Sequence, residues 1–392
     1  MADAALQLTL TLHKAVAEIP AADWNACAGA DNPFVSHAFL SALEDSASAN
    51  ARTGWLPQHA VLRDPSGVVV GAAPMYAKSH SYGEYVFDHG WAQAMERAGG
   101  RYYPKLQVAA PFSPVPGPRL LMRPGTGLPA AALAGALVQA CAELDTSSVH
   151  VTFCTEAEYD ALGEAGWLQR LGAQFHWTNE GYGSFDDFLG ALSSRKRKTI
   201  RRERRDANAC GLEFVTLRGP EITKRHWDAF YAFYTSTVDR KWGSAYLTRR
   251  FFGLLSERLG DAVVLMLALN GGTPVAGALN LAGTDTLYGR NWGCRGDWPF
   301  LHFELCYYRA IDFAIANGLK RVEAGAQGEH KIQRGYLPSA TYSAHWIAHP
   351  GLRRAVADYL EHERAEKLSQ MEALAEYAPF RQDDEQTSPR QT

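Results

Sequence analysis

The chain has 392 residues, 46% of them hydrophobic and 21% charged, with 10 Trp, 17 Tyr, 17 Phe and a formal net charge of −3. That length exceeds the roughly 250 to 300 residues at which a single core stops growing, so two domains are expected, with aromatic-rich cores or clefts. The near-neutral charge excludes polyanion affinity as a property of the whole chain.

No run of about 18 apolar residues exists to span a membrane. The N-terminus, MADAALQLTLTLHKAV, carries Asp3 and no basic region ahead of its apolar stretch, so it does not resemble a secretory signal. Six widely spaced cysteines (27, 141, 154, 210, 294 and 306) form no CxxC pair and suit a reducing cytoplasm. No paired His/Cys spacing suggests a metal site.

Residues 6–13 read as a strand, Ser36 opens a helix through Leu43, and 58–78 form a hairpin around Asp64-Pro65-Ser66-Gly67. A helix from Tyr85 to Gly99, a strand candidate RYYPKLQVAAPF, a Pro/Gly-rich loop and a helix Pro129 to Leu144 follow. SVHVTFC, 148–154, reads as the buried strand that closes this unit. Ser184 to Asn208 then reads as one long helix, with eight basic residues from Arg195 to Arg205 against the single Glu203.

Beyond it the order recurs: strand LEFVTL, two helices (224–239 and 247–259), a hairpin at Asn270-Gly271-Gly272, a strand DTLYGRNWG, a helix 301–316 and a strand RVEAG. TYSAHWIAH adds a strand and Leu352 to about Tyr377 an amphipathic helix. The expected organisation is therefore α/β with mixed sheets: residues 1–182, a connecting basic helix at 183–210, a second copy at 211–380 and a disordered tail at 381–392.

Polar chemistry is densest in Gly318 to Pro338, GLKRVEAGAQGEHKIQRGYLP, which holds Glu323, Gln327, Glu329, His330, Lys331 and Arg334 among turn-forming glycines. The alternative there is a solvated surface turn. For the basic helix the alternatives are salt bridges between domains or contact with an RNA backbone.

The repeated order, together with DHGWA (88–92), YYPKLQ (102–107), RKRKTIRRER (195–204), YGRNWGC (288–294), LHFELCYYRAID (301–312) and EAGAQGEHKIQRGY (323–336), resembles the FemAB-like proteins, tandem GNAT-type acyltransferases. The nearest resemblance is to their bacterial peptidoglycan biosynthesis/recognition branch. It implies two GNAT-like (acyl-CoA N-acyltransferase) domains and transfer of an acyl or aminoacyl group to an amine, such as a cell-wall precursor. The donor it implies is acyl-CoA or charged tRNA, with no tightly bound cofactor. A non-catalytic binder of peptidoglycan precursors or nucleic acid is the alternative.

Acyl transfer to an amine needs a base and donors for the oxyanion. Glu323, His330 and Glu329 are the expected base candidates, the last two on opposite sides of an extended segment. Arg290, Lys331 and Arg334 would offset negative charge, and Glu304 would hold the amine. Trp292, His302, Tyr308 and Gln327 complete the expected substrate site, with His89, Tyr103 and Lys105 lining an acceptor pocket in the first copy. Arg119, Arg123, Gly125 and Gly127, ahead of an acid-free helix start, are expected to take the donor's phosphates.

Overall fold

The computed structural model describes residues 7–240 and 245–381. Its first half supplies β1 (Thr9–His13), β2 (Leu56–Pro57), β3 (His59–Arg63), β4 (Val69–Ala73), β5 (Met75–Lys78), β6 (Lys105–Val108), β7 (Leu121–Met122), β8 (Ser148–Cys154) and β9 (Leu168–Thr178). The second supplies β10 (Glu213–Arg218), β11 (Val263–Asn270), β12 (Thr273–Ala282), β13 (Thr286–Cys294), β14 (Arg321–Glu323) and β15 (Leu337–Ile347). One sheet has the order β1-β3-β4-β7, and an eleven-stranded sheet has the order β10-β11-β12-β13-β14-β9-β15-β8-β6-β5-β2.

Each half contains a parallel strand pair linked through a helix. β6 and β8 are joined by way of Ala130–Glu143, and β13 and β14 by way of residues 301–316. The last strands are exchanged between the halves. β9 of the first half pairs with β14 and β15 of the second, while β15 pairs with β8 of the first. The expectation that SVHVTFC closes the first unit is thus corrected, because the helix Glu156–Glu164 and β9 follow it.

β11 shows why the centre of the sheet reads as an unbroken apolar run. Val263, Leu265 and Leu267 pack into one core, and Val264, Met266 and Ala268 into another on the opposite face. The first core also holds Trp24, Phe34 and Phe39 of the first half, so the halves share buried apolar area. By the same alternation Val322 belongs to the second core, and Glu323 points to the face that meets the first half.

The single helix expected from Ser184 to Asn208 is two, Phe185–Ala191 and Ser194–Asn208. The break at Leu192 and Ser193 is where the end of the described chain arrives. Leu192 bridges to Phe380, and the Ser193 N–H donates to the Pro379 carbonyl at 2.9 Å. Of the expected tail, Arg381 is described; residues 382–392 lie outside the described residues.

Candidate functional site

β13 and β14 run side by side for three register pairs, ending at Tyr288–Glu323, and then part. At that point β13 carries a bulge. Leu279 faces Asn291 and Asn280 faces Gly289, which leaves Arg290 as the extra residue. A Cβ at 289 would stand only 3.0 Å from the Glu323 carbonyl oxygen, so glycine lets the two strands approach closely there. Arg290 leans into the first half: its guanidinium donates to the Phe112 carbonyl at 2.8 Å and lies 5.6 Å from the Phe34 ring centre. Beside it is a cavity of about 20 Å3 lined by residues that include Ser113, Leu247 and Asn291, with room for roughly one water.

Glu323 is 4% exposed, and its Oε2 has no hydrogen-bond partner. Its Oε1 is 3.9 Å from Arg321. Burial pushes the carboxyl up to about 8, against the pull of Arg321, Arg290 and Arg119. His176 of β9 stands directly opposite Glu323 in the ladder and shares its face. Burial and then Arg321 hold that ring down at about 3, so it is neutral. Aromatic residues gather beside Arg290: Phe112, whose carbonyl it holds, stacks on Tyr246 at 5.0 Å, and the Tyr246 N–H donates to the Tyr234 hydroxyl at 3.0 Å.

The other face of the sheet holds a second cluster. Trp292 and His302 lie 5.2 Å apart between ring centres, and His302 is 5.2 Å from Tyr307, whose hydroxyl is 3.0 Å from Nε2 of the exposed His330. Arg334 lies 3.5 Å from the Phe303 ring centre. Burial, Arg334 and Lys331 all lower the His330 pKa, which favours the neutral ring. Tyr307 stands in a π-helical turn, Glu304–Tyr308, that interrupts the expected helix 301–316; such turns are frequent at functional sites. The segment Glu329–Arg334 is 3-10 helical, not extended, with Glu329 exposed at its start and Gln327 exposed just ahead of it. Glu323 and His330, expected at one reaction centre, therefore face opposite sides of the sheet.

Several expected ligand residues are committed elsewhere. Glu304 is fully buried between Arg204 and Arg309, each at 3.2 Å, so no site for an amine remains there. Tyr308 donates to Glu203, which also takes the Arg334 guanidinium at 2.8 Å. Lys331 donates to the Ala324 and Gly325 carbonyls. In the first half Lys105 is buried against Glu84, at 2.7 Å, and Asp88, out of reach of an acceptor. Tyr103 bonds Ser81 at 2.8 Å, and His89 is exposed.

Arg119 corrects the phosphate expectation most directly. It is fully buried, and its donors go to the carbonyls of Val115, Gly117, Pro118 and Thr152, which leaves no face for an anion. Arg123 donates to the Val69 carbonyl at 3.1 Å. Only Gly125 and Gly127 stay exposed, with φ of 81° and 67°, ahead of the helix Ala130–Glu143.

The basic helix divides by face. Ile200, Glu203 and Ala207 are buried, and Arg204 reaches Glu304 and Asp312. Arg195, Lys198 and Arg202 are exposed and make no ion pair among the described residues. Removing Arg204 leaves the Glu304 carboxylate buried beside Arg309 alone. Arg204→Ala is expected to lower unfolding stability by roughly 3 kcal/mol in urea titration, and a loss below about 0.5 kcal/mol would show the ion network to be dispensable.

Taken together, the repeated strand-helix-strand crossovers and the parted β13/β14 pair define a tandem GNAT-type scaffold. A model of the FemAB-like family, described as peptidoglycan biosynthesis/recognition, matches residues 15–382, and the chain belongs to that family. The activity class that goes with the family on this scaffold is acyl or aminoacyl transfer.

Solved structures that share the fold include three that are matched over nearly their own whole lengths. The C-terminal DUF2156 domain of a lysylphosphatidylglycerol synthetase-type protein from Agrobacterium fabrum is 10% identical, with a TM-score of 0.55 over 89% of this chain and 97% of that one. FemX is 10% identical, with a TM-score of 0.55 over 90% of this chain and 100% of that one. L-PGS from Bacillus licheniformis is 10% identical, with a TM-score of 0.51 over 84% and 97%. No curated protein matches the chain significantly. No helix among the described residues is long and apolar enough to cross a membrane, and no cluster of three potential metal ligands occurs among them.

Proposed function

We propose that the chain transfers an acyl or aminoacyl group to an amine in the cleft between its halves, with Glu323 as the base and Arg290 beside the developing oxyanion. One observation carries this: a carboxyl with an unpartnered oxygen and an elevated pKa stands where the two parallel strands part and the bulged Arg290 turns inward. The amine nitrogen attacks the donor carbonyl and its proton passes to Glu323; the tetrahedral intermediate then breaks its C–S or C–O bond, and the departing sulfur of CoA or ribose oxygen of tRNA takes up the proton that Glu323 holds. The cavity beside Arg290 has room for about one water, so the aromatic walls must part before substrate enters. The acceptor is an amine of a cell-wall precursor or a small molecule, met in the cytoplasm. Mass analysis of products formed from candidate amines with acetyl-CoA or charged tRNA tests the reading, and absence of any transfer product would favour the non-catalytic alternative.

The exposed Arg195, Lys198 and Arg202 support charged tRNA as donor. Replacing all three with Gln is then expected to lower the slope of log affinity against log salt by about 2 to 3, as three phosphate contacts vanish. A flat salt response in the unaltered protein would favour acyl-CoA, with its phosphates at the Gly125–Gly127 turn.

A further inference from the structure

Of the nine large hydrophobic side chains that the described residues leave exposed, five are on or tied to one loop of the first half: Tyr82, Tyr85 and Phe87 on the loop itself, Leu56 on a strand beside its base, and Tyr359 on the helix Pro350–Ala375 of the second half. The loop runs between β5 and the helix His89–Arg97. Leu56 adjoins the base of that loop through its register partner Ala77. Tyr359 is tied to the loop's other end, since its hydroxyl bonds Glu363, whose partner Arg170 donates to the Phe87 carbonyl at 2.7 Å. Tyr82 also meets His80 and His89, with ring centres 5.0 and 6.1 Å apart, and Phe87 stacks on His89 at 6.2 Å.

This loop is built, not incidental. Glu84 and Asp88 anchor the loop from beneath through Lys105, and Lys78 donates to the Tyr82 carbonyl at 3.2 Å. Beside Glu84, Tyr85 is held at φ 61°, a left-handed conformation that a bulky residue keeps only where its surroundings impose it. Buried ion pairs thus fix a loop whose rings point into water.

We propose that this aromatic loop docks the protein onto the interfacial layer of a lipid bilayer. Two features select that occupant. Tyr82 and Phe87 are 61% and 68% exposed, so they protrude as wedges and do not line a trough into which a peptide or sugar could settle. Tyrosine and phenylalanine with a polar tip or histidine neighbours match the half-apolar, half-wet layer at the headgroups. The surface stands independently of the transfer chemistry, and its failure would leave that reading untouched.

The test is co-flotation of the full chain with vesicles of pure phosphatidylcholine, and of phosphatidylcholine with one quarter phosphatidylglycerol. The protein is expected to float with both and to stay bound in high salt, because aromatic rings supply the attraction. Tyr82→Ser with Phe87→Ser is expected to reduce the bound fraction about tenfold or more, with unchanged circular dichroism. Val68→Ser with Leu144→Ser, exposed hydrophobics outside the group of five, is expected to change nothing. No flotation of the unaltered protein, equal loss in both double variants, or binding confined to the anionic vesicles and abolished by salt would overturn the proposal. So would a concentration-dependent dimer that Tyr82→Ser with Phe87→Ser dissolves, which would assign the loop to a second copy of the chain.

Discussion

Glu323→Gln is expected to lower kcat by about 100-fold to 10,000-fold while KM moves only a few-fold, because the missing group acts on the proton of an already bound amine. The pH profile separates this base from its rival across the sheet. With Glu323 at about 8, turnover of the unaltered protein rises as pH increases through 8; with His330, held below its ordinary value of about 6.5, the rise would be centred below that value. Stability gives the control. The folded-state value of Glu323 lies above the roughly 4.3 of an unfolded carboxyl, so its stabilising effect is complete below that value and is lost as pH rises through about 8. The amide that Glu323→Gln introduces cannot ionise, so the variant should gain in Tm relative to the parent as the pH is raised. A variant that is inactive yet more stable than its parent at alkaline pH separates catalysis from folding. Full turnover in Glu323→Gln would remove the carboxyl from the mechanism.

Local physics made much of the fold readable. Asp64 accepts from the Ser66 and Val68 N–H groups in the turn expected there, Ser36 caps the helix His37–Asp45 through the Phe39 N–H, and β8 has the limits its apolar run suggested. What escaped depends on partners far along the chain. β9, LQRLGAQFHWT, has a mixed pattern because its surroundings come from β14 and β15, well over a hundred residues away. The site shows the same division. Glu323 stood out by its setting in a polar, glycine-rich stretch. The commitment of Glu304 to Arg204, a hundred residues earlier, left no trace in the spacing around either residue. Phe112, Tyr234 and Tyr246 come from three segments that only the interface between the halves assembles, and His176 enters through the overlooked β9.

Expression of residues 1–182 alone is expected to give an unfolded or self-associating product, and the same holds for 183–392, while co-expression restores a soluble one-to-one complex. The reason lies in the exchanged strands. β9 makes nine register pairs with β15 and three with β14, all of them across the cut. At about one ladder hydrogen bond per pair and roughly 1 kcal/mol net for each, separation removes on the order of 10 kcal/mol, comparable to the whole net stability of about 5 to 15 kcal/mol of a typical protein. The six pairs between β8 and β15 cross the same cut, so both fragments lose them as well. Splitting the shared core that joins Phe34 and Phe39 to Phe251 and Leu279 adds to the cost. Freed β9 then presents two unpaired edges, the condition under which strands of separate copies pair with one another. Size-exclusion chromatography with light scattering, together with thermal melts followed by circular dichroism, decides the matter. A monomeric first fragment with a cooperative melt would mean that the two halves are independent domains and that the exchanged strands contribute little to either.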